Sequence, residues 1–536
     1  MGTTTLDFFH EKLDWPSPAE IAAPSGAGAE IYARLAKRKI GQPLRLRSGG
    51  RGVRVGVLTK NPQAEDSEEP VGLICEFSRT LSPEMLHEVQ RLAWNFCRTP
   101  LLVTVEKHLV RAWSCYETPN IDPTVQPSPL DQFDLRSSND IDRLIDVLHW
   151  IEVASGQFVA RYPDRFQEAN RADKSLLRNL TYIRKNLGLP PDVTHDLLAR
   201  LIFIQFLCHR KDKSGTPALN ARVFRKLYRR GVLRHPHQSL PEILTSKTDT
   251  YSLFRWLNRR FNGDLFPSGL KAEKSVVGAA HLRTLSNFVS GDMQMDDGQK
   301  CFWPLYSFDA IPLEFISSIY EEFVTKGDDD DGIANHYTPP HVVDFVLDRV
   351  LPWGGTEYAL KILDPACGSA VFLVKAFQRL INRWRNCNPK EEPSAALLRD
   401  ILERQLFGCD IEPKAIRVAS FSLYLAMCDE IDPKHYWTQV KFPPLREVTL
   451  RHTDFFKESV AGINTENDAK TYDLVVGNAP WGENTVTPEA KKWAKAFEWI
   501  DNIPDEQVGP LFLPKSAYLA KDDGVVCMIQ PAGSLL

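Results

Sequence analysis

The spacing of apolar residues changes along the chain and divides it into regions of different predicted structure. Near the N-terminus, short apolar runs rich in β-branched residues predict strands, with one helix among them. The middle of the chain repeats apolar residues at i, i+3, i+4 and i+7, which indicates amphipathic helices. Towards the C-terminus, strands and helices alternate, which favours a parallel sheet. The predicted strands cover residues 53–58, 71–77, 101–105, 109–115, 358–363, 406–409, 448–450, 474–476 and 525–529.

These patterns predict three domains. A small α/β domain covers residues 1–135, a helical domain covers 136–330, and a larger α/β domain covers 331–536. A proline-rich stretch at 116–133 is typical of a linker. Four consecutive aspartates at 328–331, flanked by glycines, are typical of a solvated connector because they lack the spaced ligands of a calcium loop.

Composition and charge narrow the class of protein. The chain has 536 residues, a net charge of −4, and ten cysteines with no C-x-x-C pair, which argues against a zinc ribbon or a disulfide framework. No apolar run is long enough for a membrane span and no secretory signal is recognisable, so we expect a cytoplasmic protein without a membrane partner. Basic clusters at 34–54 and 210–234 can neutralise phosphates, but each alone is more typical of a solvated surface.

The N-terminal elements raise the question of a nuclease. Their order, helix-strand-strand-helix-strand-strand, is compatible with a restriction-type nuclease core, which needs clustered carboxylates and usually a lysine to hold Mg²⁺. The second strand carries Glu76-Phe77-Ser78 where such a site would have Glu-x-Lys. The sequence therefore predicts a nuclease-like domain that is degenerate or was never a nuclease.

An amide and an indole follow the predicted strand at 474–476. Asn478, Ala479, Pro480 and Trp481 lie just beyond it, where open parallel sheets bind their ligands. The indole can stack on a flat group while the Asn478 carboxamide offers a hydrogen-bond acceptor. The alternative is an ordinary turn at the end of a strand, with Trp481 packed in the core.

Acidic residues end three other predicted strands of this region. Asp364 precedes a turn of small residues containing Gly368, a turn that lets the backbone approach a nucleoside-type ligand closely. Asp410 is placed to accept the hydroxyls of a ribose, and Asp454 follows the next strand. One edge of a parallel sheet would gather these three acids with Asn478. The alternative is an α/β core with incidental acids at its strand ends.

Five motifs in this order make the chain resemble the gamma-class adenine-N6 DNA methyltransferases of restriction-modification systems, particularly type IIG enzymes and type I modification subunits. The likeness covers about residues 140–536 and implies a Rossmann-like, S-adenosylmethionine-dependent domain with a mostly parallel sheet, preceded by the helical domain and the small α/β domain. The motifs are Y-T-P-P at 337–340, D-P-A-C-G-S-A at 364–370, G-C-D-I-E-P at 408–413, H-T-D-F-F at 452–456 and N-A-P-W at 478–481.

The resemblance implies site-specific methylation of adenine N6 in double-stranded DNA, without a metal. It assigns the catalytic role to N-A-P-W: Asn478 and the Ala479 carbonyl hold the amino group, Pro480 stiffens the loop, and Trp481 stacks on the flipped base. Asp454 would help hold the base or the cofactor. The remaining residues that would line the S-adenosylmethionine pocket are Tyr337, Thr338, Asp364, Ala366, Gly368 and Asp410.

The sequence departs from this family at three places. Ala479 stands where the family usually has proline, and Ala370 where it usually has glycine, so a methyl group is expected to crowd the cofactor loop. The family continues beyond the last strand with more strands and a target-recognition domain. We therefore expect a truncated chain whose sheet is incomplete at its C-terminal edge, and a second polypeptide that supplies the recognition domain or a nuclease.

Two other functions stay open. Protein-glutamine methyltransferases share a similar core and loop, although they lack a large N-terminal region with basic clusters. A non-catalytic DNA-binding or assembly subunit of a defence complex would also fit the changes at Ala370 and Ala479. Cytosine-C5 methylation is disfavoured because the chain has no Pro-Cys dipeptide to supply the nucleophile, and no G-x-x-x-x-G-K-[ST] motif supports an ATP-driven motor.

Overall fold

A computed structural model describes residues 4–50, 52–125, 127–265, 270–295, 298, 300–317, 338–482, 484–499 and 506–531. The chain forms two compact units. The first contains residues 1–194, 201–250 and 275–312, and the second contains residues 195–200, 251–274 and 313–536. The predicted domain boundaries near residues 135 and 330 stay predictions. The predicted aspartate connector at 328–331 lies outside the described residues.

A mixed five-stranded sheet forms the centre of the first unit. Its strands follow the chain order β1-β2-β3-β4-β5; β2 and β3 are parallel and the other neighbours are antiparallel. Leu101, Val103 and Val105 of β3 are buried in the core because one face of the sheet is covered by helices. The strands are β1 (Val53–Leu58), β2 (Gly72–Phe77), β3 (Leu101–Glu106), β4 (Leu109–Ser114) and β5 (Asp131–Asp134).

The fifth strand corrects the prediction of a linker at 116–133. β5 pairs with β4, and Phe133 is fully buried beneath the sheet. The four prolines obscured this strand, which is only four residues long and lies at the edge of the sheet, where proline is tolerated nearby. Glu76 of β2 forms an ion pair with Arg54 of β1 at 3.4 Å. The carboxylate of the Glu76-Phe77-Ser78 motif, which raised the question of a nuclease, is therefore paired with a basic residue on the neighbouring strand.

Helices make up the rest of the first unit. Three of the helices named below contain residues of both units: Pro191–His209, Lys247–Phe261 and Leu270–Val276. The predicted buried helix at 192–207 is confirmed as Pro191–His209. A π-helical turn at Lys37–Gly41 links two of the early helices. The helices are Thr5–Leu13, Pro18–Ala22, Ala27–Ala36, Gln42–Arg47, Pro83–Phe96, Ser138–Leu148, Trp150–Ser155, Gln157–Ala160, Ala172–Leu187, Pro191–His209, Ala221–Arg229, Leu240–Leu244, Lys247–Phe261, Leu270–Val276 and Ala279–Ser290.

A parallel five-stranded sheet organises the second unit and confirms the predicted α/β class. The strand order is β10-β9-β6-β7-β8, and every neighbouring pair is parallel. The chain enters at the central strand β6, builds β7 and β8 on one side, and then crosses to build β9 and β10 on the other. The strands are β6 (Ile362–Asp364), β7 (Leu406–Asp410), β8 (Leu450–His452), β9 (Tyr472–Asn478) and β10 (Ala520–Ile529).

Helices connect these strands, as parallel pairing requires. The connection between β6 and β7 also contains the helix Ala395–Arg404, whose Leu398, Ile401 and Leu402 are buried at helical spacing. No helix in the described parts of the chain combines the length and apolarity that crossing a bilayer demands. The helices of this unit are Pro340–Val350, Val371–Cys387, Ala395–Arg404, Pro413–Asp429, Tyr436–Gln439, Pro488–Ala496 and Gly509–Leu519.

Candidate functional site

The four polar groups at the predicted strand ends lie along one edge of the parallel sheet. Asn478 ends β9, Asp364 ends β6 and Asp410 ends β7, while Asp454 lies two residues beyond the end of β8. Because β9, β6, β7 and β8 are successive neighbours, the four residues follow that order along the edge. The sheet thus brings together residues that are up to 114 positions apart in the sequence (364 to 478).

The crevice between β6 and β9 is the topological switch point of the sheet, because the chain runs away from it in both directions. Ligands of open α/β sheets bind at this position. Gly477 allows the two strand ends to approach, since a Cβ atom there would lie 2.5 Å from Asp364 Oδ1. Asn478 and the fully buried Asp364 are therefore held side by side at the switch point.

Backbone amides fix the turn after β6 to the end of β7. The N–H of Ala366 donates to Asp364 Oδ1 at 3.2 Å, and the N–H of Gly368 donates to Asp410 Oδ2 at 2.9 Å. Gly368 has φ +49°, a conformation that suits glycine. The other Asp410 oxygen accepts the N–H of Glu412 at 2.8 Å. Each Asp410 oxygen therefore keeps one lone-pair direction for a ligand.

Burial changes the acidity of this carboxyl group. It raises the pKa of Asp410 above the ordinary aspartate value, although the hydrogen bonds from Glu412 and Gly368 act in the opposite direction. A raised pKa means that the group gives up its charge at a higher pH than an exposed aspartate does.

The Asn478 carboxamide is held from one side only. Its Nδ2 donates to Thr338 Oγ1 at 3.0 Å, which fixes the side chain, while its Oδ1 is buried without a hydrogen-bond partner in the described structure. A buried acceptor left without a donor is destabilising by about 1–3 kcal/mol, so the fold maintains an acceptor suited to a ligand donor. Tyr337, the neighbour of Thr338 in the predicted pocket, lies outside the described residues.

The last two residues of the N-A-P-W loop are exposed to solvent. Ala479 is buried, whereas Pro480 is exposed and Trp481 is 41% exposed. The alternative that Trp481 packs in the core is therefore wrong. An indole exposed beside a buried amide provides a surface on which a planar ring can stack.

Two further sequence expectations concern the loops beside Asp410. Asp454 Oδ1 accepts the N–H of Phe456 at 2.8 Å, and Thr453 N–H donates to the Asp410 carbonyl at 2.9 Å, so the acidic loop is joined to β7. Ala370 has a left-handed backbone with φ +67° and is fully buried. Its methyl group therefore lies inside the protein, and the expected crowding of the cofactor loop stays a prediction.

Ile411 is a candidate site residue that the sequence analysis missed. It directly follows Asp410 and is 63% exposed. An apolar residue immediately after an acid at a strand end was visible in G-C-D-I-E-P, but its exposure was not, because Gly408 and Cys409 of the same strand are buried.

Lys515 is the second missed residue. It lies in the apolar helix Gly509–Leu519, is fully buried, and donates from Nζ to the carbonyl oxygen of Phe455, next to Asp454. Its ammonium group also lies 4.4 Å from the centre of the Phe455 ring. A single lysine among apolar helix residues was the available signal. The contact ties this helix to the loop that carries Asp454.

The buried Lys515 predicts a pH-dependent stability. Burial lowers its pKa from 10.5 to about 7, despite the nearby Cys409 and Asp454. Between those two values the unfolded chain binds more protons than the folded chain, so the free energy of unfolding should rise with pH from about 7 to 10.5. Urea unfolding at pH 7, 8 and 9 should show a smaller rise for Lys515→Met than for the native chain. An equal rise in both proteins would contradict the buried lysine.

Buried ion pairs hold the Thr338 side of the site. Lys375 Nζ contacts Asp344 at 2.8 Å and Glu314 at 3.2 Å, and Arg379 contacts the other Asp344 oxygen at 3.1 Å. All four residues are less than 5% exposed. This network packs the helix Pro340–Val350, which begins two residues after Thr338, against the helix Val371–Cys387 that follows the Gly368 turn.

Lys375→Met is expected to destabilise the second unit by about 3–5 kcal/mol, because it removes a buried cation from two buried carboxylates. Lys434→Met is the matched control, since the exposed Lys434 pairs with the half-buried Asp432 at 3.8 Å and surface pairs contribute about 0–1 kcal/mol. Denaturant midpoints of both variants provide the comparison. Equal midpoints would show that the network does not stabilise the fold.

Comparisons with known proteins find similarity over part of the chain. Residues 313–536 match the family model described as N-6 DNA Methylase. The type II restriction enzyme and methyltransferase RM.BcgI of Heyndrickxia coagulans is 26% identical over 114 residues, which cover 21% of this chain and 16% of that protein. RM.Eco57I of Escherichia coli, described in the same words, is 22% identical over 302 residues, which cover 45% of this chain and 30% of that protein.

Among solved structures, the type I restriction-modification methyltransferase subunit from Streptococcus thermophilus matches 67% of this chain and 74% of its own, with 14% identity and a TM-score of 0.40. The chain spans less than a third of the length of the two curated relatives. The family model covers all five sequence motifs and the whole parallel sheet. Over its residues 313–536, the chain is similar to the N-6 DNA methylase family.

Proposed function

We propose that this chain transfers a methyl group from S-adenosylmethionine to N6 of adenine in DNA, at specific sites, as part of a restriction-modification or phage-defence system. The observation that carries the proposal is the Asn478 carboxamide at the switch point, with its oxygen buried and without a donor. We also propose that residues 331–536 are the catalytic domain, that residues 1–135 and 136–330 are separate domains, and that the protein is cytoplasmic.

The residues on the β6–β7 side fit S-adenosylmethionine. Asp410 keeps one acceptor direction on each oxygen for the two ribose hydroxyls, and its carboxylate is fixed by Gly368 and Glu412. The exposed Ile411 offers an apolar surface to the adenine ring of the cofactor. Asp364, Ala366 and Thr338 border the same crevice. When bound there, the cofactor supplies an electrophilic methyl group on a sulfonium.

The residues on the β9 side fit the amino group of a target adenine. Its nitrogen lone pair is delocalised into the ring and is a poor nucleophile. Asn478 Oδ1 and the Ala479 carbonyl are the acceptors that would take its two hydrogens and direct the lone pair towards the methyl group. The new N6–C bond forms as the S–C bond breaks, and the surplus proton on N6 passes to solvent because an amide cannot serve as a base.

The exposed Trp481 explains how the base would be held outside the duplex. The base must leave the stack to reach Asn478, which costs a few kcal/mol. Stacking on an aromatic side chain offsets about 1–3 kcal/mol of this. Pro480 limits the freedom of the loop between the amide and the indole.

Transfer of tritiated methyl groups to alternative acceptors tests this function. The full chain should label duplex DNA that contains adenine, and it should not label protein acceptors or DNA from which adenine is absent. Label on glutamine in a protein would instead support a protein methyltransferase. Saturable cofactor binding without label on any acceptor, also after addition of a recognition subunit, would support a non-catalytic subunit.

The helix Ala221–Arg229 offers a surface for the proposed DNA partner. Phe224 and Leu227 anchor it in the first unit, and Asn220 caps its N-terminus. Five cations at and just beyond the helix are exposed, and none is ion-paired to any residue that the structure describes. They are Arg222, Arg225, Lys226, Arg229 and Arg230.

The basic cluster at 34–54 differs because much of its charge is neutralised. Arg34 pairs with Glu30, Arg47 with Glu88 and Arg54 with Glu76, at distances of 3.2 to 3.5 Å. Unpaired cations release more counterions when they meet phosphates. The helix Ala221–Arg229 is therefore the better candidate for a DNA-binding surface.

Changing Arg222, Arg225, Lys226 and Arg229 to alanine should weaken binding to duplexes of any sequence. It should also reduce the slope of log K against log salt by up to about 3–4, since each phosphate contact contributes about 0.9. Fluorescence anisotropy at several salt concentrations measures both. The double variant Arg34→Ala/Arg54→Ala is the control, and its DNA affinity and salt dependence should change little. A larger effect in this control would show that DNA binds to the cluster at 34–54 and not to the helix Ala221–Arg229.

We further propose double-stranded DNA and a second polypeptide, which supplies target recognition or cleavage, as partners. The curated relatives are named as combined restriction enzymes and methyltransferases. Co-purification of the native chain with its genomic neighbours, followed by methylation assays with and without them, tests this division of labour.

A further inference from the structure

Two histidines and an aspartate converge in the first unit. His235 and His237 lie in the loop after the helix Ala221–Arg229, and Asp249 lies in the first turn of the helix Lys247–Phe261. His235 Nδ1 and His237 Nε2 are each 2.8 Å from Asp249 Oδ2. The three ligand atoms all lie within 4.8 Å of one another.

A backbone hydrogen bond to one oxygen orients the Asp249 carboxylate. It is fully buried, and its Oδ1 accepts the N–H of Arg234 at 2.7 Å. This backbone bond aims the second oxygen, Oδ2, at the two imidazoles. Hydrogen bonds of this kind fix the ligands of metal sites. Asp249 is therefore held in place before anything binds.

Hydrogen bonding alone explains this arrangement poorly. Asp249 Oδ2 faces three potential donors, because the N–H of His235 also reaches it at 3.2 Å. A carboxylate oxygen offers about two lone-pair sites, so three donors exceed its capacity. A cation between the two imidazole nitrogens and the oxygen would satisfy all three ligand atoms and leave the backbone N–H its own lone pair.

We propose that His235, His237 and Asp249 form a binding site for a divalent transition metal ion, with Zn²⁺ as the best fit. Two imidazole nitrogens and one carboxylate oxygen suit zinc and its neighbours, and they are a poor donor set for Mg²⁺ or Ca²⁺. Ligand atoms around a tetrahedral zinc ion lie roughly 3.3 Å apart, given bonds of about 2.0–2.1 Å. The present 2.8 Å separations need to open by only about 0.5 Å.

The exposure of the three ligands shows which of them can move to admit an ion. The His235 side chain is 63% exposed, whereas those of His237 and Asp249 are 10% and 0% exposed. His235 can therefore rotate to accommodate an ion, and the fourth coordination position faces solvent. A bound ion would clip the loop 234–237 to the helix Lys247–Phe261 and thereby fix the end of the basic helix Ala221–Arg229. This role does not depend on the proposed methyl transfer.

Metal binding to the full chain, purified without a polyhistidine tag, tests the proposal. After incubation with Zn²⁺ and desalting, elemental analysis should find about one more zinc per chain in the native protein than in His235→Ala. Co²⁺ should give the visible absorption of a tetrahedral nitrogen and oxygen site. Titration should show at least about 100-fold weaker binding for His235→Ala and His237→Ala, since loss of even outer-sphere partners weakens metal binding 10–100-fold.

Two controls keep the test decisive. His108→Ala removes an exposed histidine outside the cluster and should bind as the native chain does. His235→Ala changes an exposed side chain, so its folding can be checked by circular dichroism before binding is measured. Equal zinc content in the native chain and His235→Ala, or no Co²⁺ spectrum in the native chain, would overturn the proposal and leave the cluster as a hydrogen-bonded loop anchor.

Discussion

Asn478→Ala is expected to lower the rate constant for methyl transfer about 10²–10³-fold, the size of effect seen when one preorganised polar group is removed from a reaction centre. The substitution removes the buried oxygen that would take a hydrogen of the adenine amino group, and it also removes the bond to Thr338. The proposed cofactor contacts around Asp410 should be unaffected. Affinity for S-adenosylmethionine should therefore change far less than the rate.

Single-turnover transfer of labelled methyl groups to DNA, with cofactor affinity measured by calorimetry, separates the two quantities. Asn467→Ala, an exposed asparagine of the same unit, is the matched control and should retain the native rate. Thr338→Ala adds a finer comparison. It keeps the acceptor oxygen and loses only its positioning, so its defect should be smaller than that of Asn478→Ala. If Asn478→Ala transferred methyl groups at the native rate, the Asn478 carboxamide would have no role in the reaction.

Asp410→Ala is expected to weaken S-adenosylmethionine binding about 100-fold, which corresponds to about 2.7 kcal/mol. Two effects add. The ribose hydroxyls lose their acceptors, and the N–H groups of Gly368 and Glu412 lose the carboxylate that fixes the turn. Asp400→Ala removes an exposed acid from a neighbouring helix and serves as the control. Cofactor affinity within threefold of native for Asp410→Ala would contradict the assignment.

The same carboxylate predicts the direction of a pH effect. Because burial raises the pKa of Asp410, cofactor affinity should fall as the pH decreases through a value above that of an ordinary aspartate. Asp410→Asn should flatten this dependence, since its amide does not titrate in that range. Titration calorimetry between pH 5 and pH 8 gives both curves, and parallel curves would assign the effect to another group.

The sequence predicted the strand ends well because each one combines an apolar run with a polar residue. Asp364, Asp410 and Asn478 end β6, β7 and β9 as expected. The order of those strands was not predictable, because it depends on how the helices pack and not on any local pattern. The contact between Asn478 and Thr338 joins residues 140 positions apart, so no motif by itself could indicate which side of the amide is free.

Errors arose where local composition misled. Proline near β5 suggested a linker, yet the burial of Phe133 favours pairing at the sheet edge. The two basic clusters look alike in sequence, but acidic partners such as Glu30 and Glu88 neutralise only the first. The convergence of His237 on Asp249 was likewise invisible, since neither residue belongs to a recognised spacing.

The central claim is that a methyl donor and an adenine amino group meet at the switch point between β6 and β9. A crystal structure of the chain with sinefungin, an unreactive analogue of S-adenosylmethionine, tests it most directly. We expect the ribose hydroxyls on the Asp410 carboxylate and the amine that replaces the transferable methyl group facing Asn478. Sinefungin bound elsewhere, or an Asn478 carboxamide turned away from that amine, would contradict the claim.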